Sequence, residues 1–369
     1  MRFCLWGSIA KGLDGNPVGG GEQQLALIAK YLNKLGHKVV IIDFDIARDT
    51  DFDGIEVLAI AARSKNRIAN YFTLYKLLKL VEADVYYARI RSSIHLLALL
   101  TSKINNSIFI YHLASDLDSL NFKSRWRGLY SKLLSPKKII TNLIHSELLF
   151  HIVLKNASLL ITQNSEQYQN LKIKGFQNVC EIKNLFEFIP HNYTKDAPNK
   201  KREYFMYIGS LDLRKGVKEL QIIIDANPSL NFYILGKARD KAGLGFVNNM
   251  KFRNNVNILG HQPHNKVLEH LNGALGLIST SIYEGFSNAF IEAWSLGVPV
   301  LSLNSNPSNV LNDYNLGRFY SSSIERMIND IKDFNSIQFD KNEIMDYVKT
   351  NHDPLKNTNR IIQELEQLY

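Results

Sequence analysis

The sequence predicts an α/β protein made of two parallel-sheet domains. Three observations predict it. Short β-branched or aromatic runs alternate with amphipathic helical stretches, which is the pattern of a covered parallel sheet. The pattern breaks once, at residues 186–203, and then restarts. The chain has 369 residues, enough for two cores.

In the first half, strands are expected at residues 2–7, 38–44, 55–60, 84–88, 107–112 and 158–162. They are nearly continuous in apolar residues, so both sheet faces must be covered. Residues 22–35 place Leu25, Leu27, Ile28, Tyr31, Leu32 and Leu35 at helical spacing, and 71–81 and 94–104 read the same way. The break carries Pro190, Asn192, Asp196, Pro198 and Asn199, followed by Lys200, Lys201 and Arg202, which marks a linker over 188–203. Beyond it, strands are expected at 204–209, 231–236, 256–260, 274–280 and 298–303, with helices at 215–226, 266–272, 288–296 and 324–334. A last helix over 354–369 lines up Ile361, Ile362, Leu365 and Leu368. The domains are therefore 1–187 and 204–353. Two such Rossmann-like halves facing a central cleft bind ligands beyond the carboxyl ends of their strands.

Composition narrows the class. Hydrophobic residues make up 45% and charged residues 21%, as in ordinary folded proteins. The two cysteines, Cys4 and Cys180, form no CxxC pair, which argues against a disulfide framework or a zinc site and fits a reducing cytoplasm. The apolar start resembles a signal peptide, but Gly12, Asp14 and Gly15 follow at once, so a first strand is expected. No apolar run reaches the ~18 residues of a membrane span. The net charge of +9 admits nucleic acid, anionic lipid or a phosphorylated substrate as partner.

The segment 279–301 is the most informative. A strand ends near Thr280, a glycine-containing loop follows, and a helix opens near Asn288, with Ser287 and Asn288 as candidate caps. Gly297 suits the left-handed position after the helix, and Pro299 stops it. A helix start at a strand's carboxyl end is a ready phosphate site. Glu284 precedes the helix, and Glu292 lies on its otherwise apolar body. A carboxylate there accepts from two vicinal hydroxyls, as on a ribose. The plainer alternative is a helix-start acid favoured by the dipole and a partly exposed glutamate.

This segment resembles the E-x7-E motif of retaining glycosyltransferase family 4, whose fold is GT-B. Glu-Gly-Phe-Ser-Asn, Glu-Ala-Trp and Gly-Val-Pro-Val match in order and spacing. The resemblance implies that Glu292 binds the nucleotide ribose and that Glu284 contacts the donor sugar. Gly285, Phe286, Ser287 and Asn288 would offer backbone amides to sugar and diphosphate, and the C-terminal helix would cross back to the first domain.

Three further places extend the likeness. In Ile208–Gly216, Lys215 matches the family lysine that meets the diphosphate, whereas Ser210 stands where arginine is usual and Arg214 is the candidate substitute. Gly19, Gly20 and Glu22 match a Gly-Gly-x-Glu, so Gly20 and Gly21 would lie close to the diphosphate. His112, at the end of a strand, matches a histidine that family members place near the reaction centre; a satisfied core histidine is the alternative. Arg89 occupies a position where members often have histidine.

Three Asp-x-Asp triplets, 43–45, 51–53 and 116–118, would bind a metal in the other main transferase fold, but here read as solvated strand-end aspartates. No metal and no cofactor is expected; a nucleoside-diphosphate sugar is the substrate. Residues 122–155 carry Lys123, Arg125, Arg127, Lys132, Lys137, Lys138 and Lys155 against Glu147, interleaved with Trp126, Leu129, Tyr130, Leu133 and Leu134. That pattern suits peripheral contact with an anionic membrane or a solvated basic face, and no nucleic-acid motif accompanies it. The expectation is a cytoplasmic retaining glycosyltransferase, at the inner face of the membrane, acting on a lipid-linked or surface-polysaccharide acceptor. The alternatives are another GT-B enzyme, such as a sugar-nucleotide epimerase, or a non-catalytic nucleotide-sugar-binding partner.

Overall fold

The structure is a computed structural model that describes residues 1–16, 19–60, 67–120, 148–188 and 202–368. The chain divides into two compact units: Met1–Leu185 with Pro354–Tyr369, and Phe186–Asp353.

Unit 1 runs β1 (Arg2–Gly7), α1 (Ala10–Leu13), α2 (Gly20–Lys34), β2 (Lys38–Asp43), β3 (Thr50–Phe52), β4 (Ile55–Ala59), α3 (Arg67–Val81), β5 (Val85–Arg89), α4 (His95–Ile104), β6 (Ile108–His112) and α5 (Asp116–Ser119). It continues with α6 (Leu149–Asn156), β7 (Leu159–Thr162), α7 (Ser165–Ile173) and β8 (Val179–Glu181). Alternate strand residues feed opposite faces. Leu5, Ile41, Tyr87 and Ile110 pack with Leu25, Ile28 and Leu32 of α2. Their neighbours Cys4, Val40, Tyr86 and Phe109 pack with Leu74 and Leu78 of α3 and Phe150 and Val153 of α6.

Unit 2 holds β9 (Tyr204–Ile208), a 3-10 turn (Leu213–Lys215), α8 (Val217–Asp225), β10 (Asn231–Leu235), α9 (Lys241–Met250), β11 (Val256–Gly260), α10 (His264–Asn272), β12 (Ala274–Ser279) and α11 (Asn288–Ser295). It ends with β13 (Val300–Ser302), α12 (Val310–Asp313), β14 (Gly317–Phe319), α13 (Ile324–Lys332) and α14 (Lys341–Asn351). One core joins Met206 and Leu277 to Ile291, Trp294, Ile344 and Val348. The other joins Phe205, Phe232 and Ile234 to Leu220, Ile223, Phe246 and Met327. The final helix, α15 (Pro354–Glu366), returns to unit 1, where Ile361, Ile362 and Leu365 join the core on the α2 face. Each such side chain contributes about 1.5–3 kcal/mol by burial.

Sheet order is β3-β4-β2-β1-β5-β6-β7-β8 in unit 1 and β11-β10-β9-β12-β13-β14 in unit 2. Every pairing is parallel except β3 with β4. The direction of strand addition reverses between β1 and β5 and again between β9 and β12. Chains leaving two such strands diverge, which opens a crevice at each carboxyl edge.

Several elements have no counterpart among those read from the sequence, namely α1, β3, α5, α6, α7, α9, α12, β14 and α14, and two of them show why. The β3–β4 hairpin turns on Asp53 and Gly54, both at positive φ (51° and 86°), where the amide of Gly54 donates to Asp51 Oδ1 at 2.8 Å. Helix α9 contains Gly243 and Gly245, which weaken a helical reading. Gly243 is there for packing: a Cβ on it would lie 1.9 Å from the carbonyl oxygen of Leu211.

Candidate functional site

At the reversal point of unit 2, the loop after β9 is organised by Asp212. Its Oδ1 accepts from the amides of Arg214 (2.9 Å) and Lys215 (3.1 Å), and its Oδ2 accepts from the Ser210 hydroxyl at 2.8 Å. Arg214 Nη2 stands 3.5 Å from the same oxygen while its side chain stays mostly exposed. Ser210 therefore steadies an acid that shapes the turn, and Arg214 stands against the same acid. Gly216 closes the turn at φ 68°, where a Cβ would fall 2.1 Å from the carbonyl oxygen of Thr280. That approach lets Thr280 Oγ1 donate to the carbonyl of Lys215 at 2.8 Å and Ile282 N donate to that of Arg214 at 3.0 Å. The loops following β9 and β12 are thus stitched together, and Lys215 Nζ forms an ion pair with Glu284 Oε1. Both members are only partly exposed.

Helix α11 carries the second glutamate. Its N-cap is Ser287, but the serine makes no side-chain cap bond, contrary to expectation; the helix is closed there by backbone, with Phe290 N donating to Ser287 O at 3.1 Å. Gly297 adopts the expected left-handed conformation at φ 64°. Arg202 Nη1 and Nη2 donate to the carbonyls of Gly297 and Leu296, both at 3.0 Å, placing a cation at the helix C-terminus. Glu292 is almost wholly buried, with His264 Nδ1 3.7 Å from its Oε1. Burial pushes the His264 imidazole below its ordinary pKa, so it is neutral near pH 7. Phe286 turns its ring into the core, 6.1 Å from Trp294 and 5.0 Å from His352 between centroids.

At the reversal point of unit 1, Gly20 and Gly21 form the first turn of α2 rather than a free loop. A Cβ on Gly21 would lie 2.5 Å from Ile90 Cγ1, so glycine lets α2 close on the chain leaving β5. Ile90 holds a φ of 65°, costly for a β-branched residue. Its carbonyl accepts from His95 Nε2 at 2.7 Å, and Trp6 Nε1 donates to His95 Nδ1 at 3.2 Å. The adjacent residues Arg89 and His112 face each other in register on β5 and β6 and are both buried.

Residues 190–350 match the family described as glycosyl transferases group 1. An uncharacterized glycosyltransferase of Methanocaldococcus jannaschii is 26% identical, with 74% of this chain and 70% of that protein covered. The chain is a GT-B glycosyltransferase. Among solved structures, the transferase superposes on sucrose-phosphate synthase from Thermosynechococcus elongatus with a TM-score of 0.74, at 14% identity, over 100% of this chain and 99% of that one. It superposes on Anabaena HepE, in complex with UDP and glucose, with a TM-score of 0.68, at 15% identity, over the whole of both chains. These likenesses describe its fold.

Other sequence candidates in the transferase resolve differently. Asp43 is filled by backbone: its Oδ2 accepts from Ile9 N (2.7 Å) and Ala10 N (2.8 Å), and its Oδ1 from Asp45 N (2.7 Å). It is a buried loop clamp, not the solvated strand-end aspartate read from sequence. Asp118 is likewise buried and accepts from Ala114 N at 3.1 Å. The basic stretch lies, through residue 147, outside the described residues. No helix among the described residues is long and apolar enough to cross a membrane. Sequence reasoning did not single out Asp212, Thr280 or His264. Asp212 alone left a trace, an acid three residues before the lysine it positions.

Proposed function

We propose that the transferase is a retaining enzyme of the family 4 type. It moves a sugar from a nucleoside-diphosphate sugar to a hydroxyl of a lipid-linked or surface-polysaccharide acceptor. The observation that carries this is the Lys215–Glu284 pair, which sets a cation and a sugar-binding carboxylate side by side at the reversal point of unit 2. The diphosphate is met by Lys215, Arg214 and the backbone amides of the loop that leads into α11, at Gly285, Phe286, Ser287 and Asn288. Glu292 accepts from the ribose hydroxyls and Glu284 from the donor sugar. Fixed positive charge stabilises the departing nucleoside diphosphate as the glycosidic bond breaks. The sugar passes through an oxocarbenium-like state to the acceptor, with retention, and neither glutamate acts as a nucleophile. Protein cations suffice, so no metal is part of the reading. Gly20, Gly21 and His112 belong to the unit 1 side of the chemistry. The work is done in the cytoplasm, with the basic stretch 122–155 resting on the inner face of the membrane.

The Anabaena protein's complex makes UDP the first probe. Calorimetry with UDP, and then with the other nucleoside diphosphates, should show binding that persists in EDTA and is weakened in Glu292→Ala and Lys215→Ala. Binding unchanged in both variants overturns the assignment.

A further inference from the structure

Arg89 is 3% exposed and His112 fully buried. Arg89 Nη2 donates to Asn184 Oδ1 at 2.9 Å, which turns the guanidinium edge toward the imidazole. Its Nη1 lies 2.9 Å from His112 Nδ1 and 2.8 Å from Nε2. The Tyr87 hydroxyl, two residues back on the same face of β5, is 2.7 Å from Nδ1. Arg89 Nε is buried without a hydrogen-bond partner, and among the described residues no carboxylate forms an ion pair with this guanidinium.

The chemistry of the donors decides the state of the ring. A guanidinium only donates and does not lose its proton in proteins. A ring nitrogen facing it must present a lone pair. If Nδ1–H donates to the Tyr87 oxygen, Nε2 accepts from Nη1 and each ring nitrogen has a partner, the approach of Nη1 to Nδ1 being then a contact and not a hydrogen bond; the other tautomer would set Nε2–H against the guanidinium. A doubly protonated ring would set N–H against N–H and one buried cation against another.

We propose that Arg89 is a positioning residue that holds His112 as a neutral imidazole, protonated at Nδ1, with its Nε2 lone pair committed to the guanidinium. Burial and the neighbouring guanidinium both push His112 well below its ordinary pKa, which agrees. The other charged or titratable groups around the pair do not reverse this. Asp118 interacts with Arg89, and burial raises its carboxyl; burial keeps Tyr87 and Tyr111 protonated. The strained exit at Ile90, pinned by His95, fixes the end of β5 that carries the arginine. The catalytic consequence rests on the proposed place of His112 at the reaction centre: the ring gives shape and a fixed dipole and does not move a proton. The state of the ring does not depend on that reading.

The test uses the full chain with 15N-labelled histidine. Long-range proton–nitrogen spectra are followed from pH 5 to 8.5, and His112 is assigned with His112→Gln or, if that variant fails to fold, by replacing the other nine histidines in turn. The expected result is a His112 that stays neutral and Nδ1-protonated throughout. A His112 that titrates in that range, or that is protonated at Nε2, overturns the proposal. In Arg89→Met the ring should titrate, and donor turnover should gain an acid limb absent from the wild type. A variant that folds with a ring still silent to pH 5 also overturns it. If Arg89→Met does not fold, the wild-type spectra decide alone. Weakened nucleoside diphosphate binding in Lys215→Ala remains the separate test of the donor site.

Discussion

At the reversal point of unit 2, Lys215 and Glu284 stand partly exposed on loops stitched by Thr280 and Asp212. At the matching point of unit 1, Arg89 and His112 are sealed, and the chain leaving β5 is wedged against Gly21 of α2. One topology has thus been given two kinds of ending. Unit 2 keeps opposite charges within reach of a ligand, at a modest cost because solvent still screens them. Unit 1 buries a cation whose field acts on the His112, Tyr87 and Tyr111 rings beside it. Shared strand order offers a place for chemistry; the residues at the strand ends decide whether it is open or locked.

The sharpest contrast comes from one substitution made on both sides. Gly216→Ala meets a backbone carbonyl from a left-handed conformation, so unit 2 should lose about 3 kcal/mol or more of stability, read as a lower urea midpoint. Gly21→Ala meets side-chain atoms of Ile90, Cγ1 and Cδ1, with no backbone atom in the way, and gains helix propensity, so its loss should be the smaller, about 1–2 kcal/mol. Equal losses would break the comparison.

The next effect belongs to unit 1. Burial lowers the His95 pKa to about 4 from 6.5. The unfolded chain takes up that proton first, so the stability is whole above pH 6.5. It should fall by about 3 kcal/mol as pH drops to about 4. His95→Gln retains a donor for Ile90 and an acceptor for Trp6, and should flatten that acid limb in urea titrations.

Lys215→Ala should weaken nucleoside diphosphate binding about 30-fold by calorimetry, the worth of one charge-assisted hydrogen bond of about 2 kcal/mol. The smallest effect is at His264. Its pKa is already lowered, so protonation comes only at acid pH, where a cation 3.7 Å from Glu292 competes with the ribose. Affinity should fall by about fivefold at most between pH 7.5 and 5.5. His264→Ala should remove the slope.

Much of the fold was legible because it is written locally. The parallel strands are apolar runs, and α2, α4 and α11 show their periodicity, so their bounds fall within two residues of expectation. The β3–β4 hairpin was missed because three residues carry too little pattern. Helix α9 was missed because Gly243 answers to Leu211, a neighbour only in space.

The same division runs through the site. The sequence by itself determined the order of strands and helices, and it placed Lys215, Glu284 and Glu292 at or beside helix starts, since cap, turn and acid lie within a few residues of one another. Tertiary structure alone decided that Lys215 meets Glu284, 69 residues on, that Asp212 shapes the turn, and that His264 attends Glu292. It also decided that Arg89 faces His112 and Asn184. Those meetings follow from which strands lie side by side and in what register, and no local periodicity encodes that.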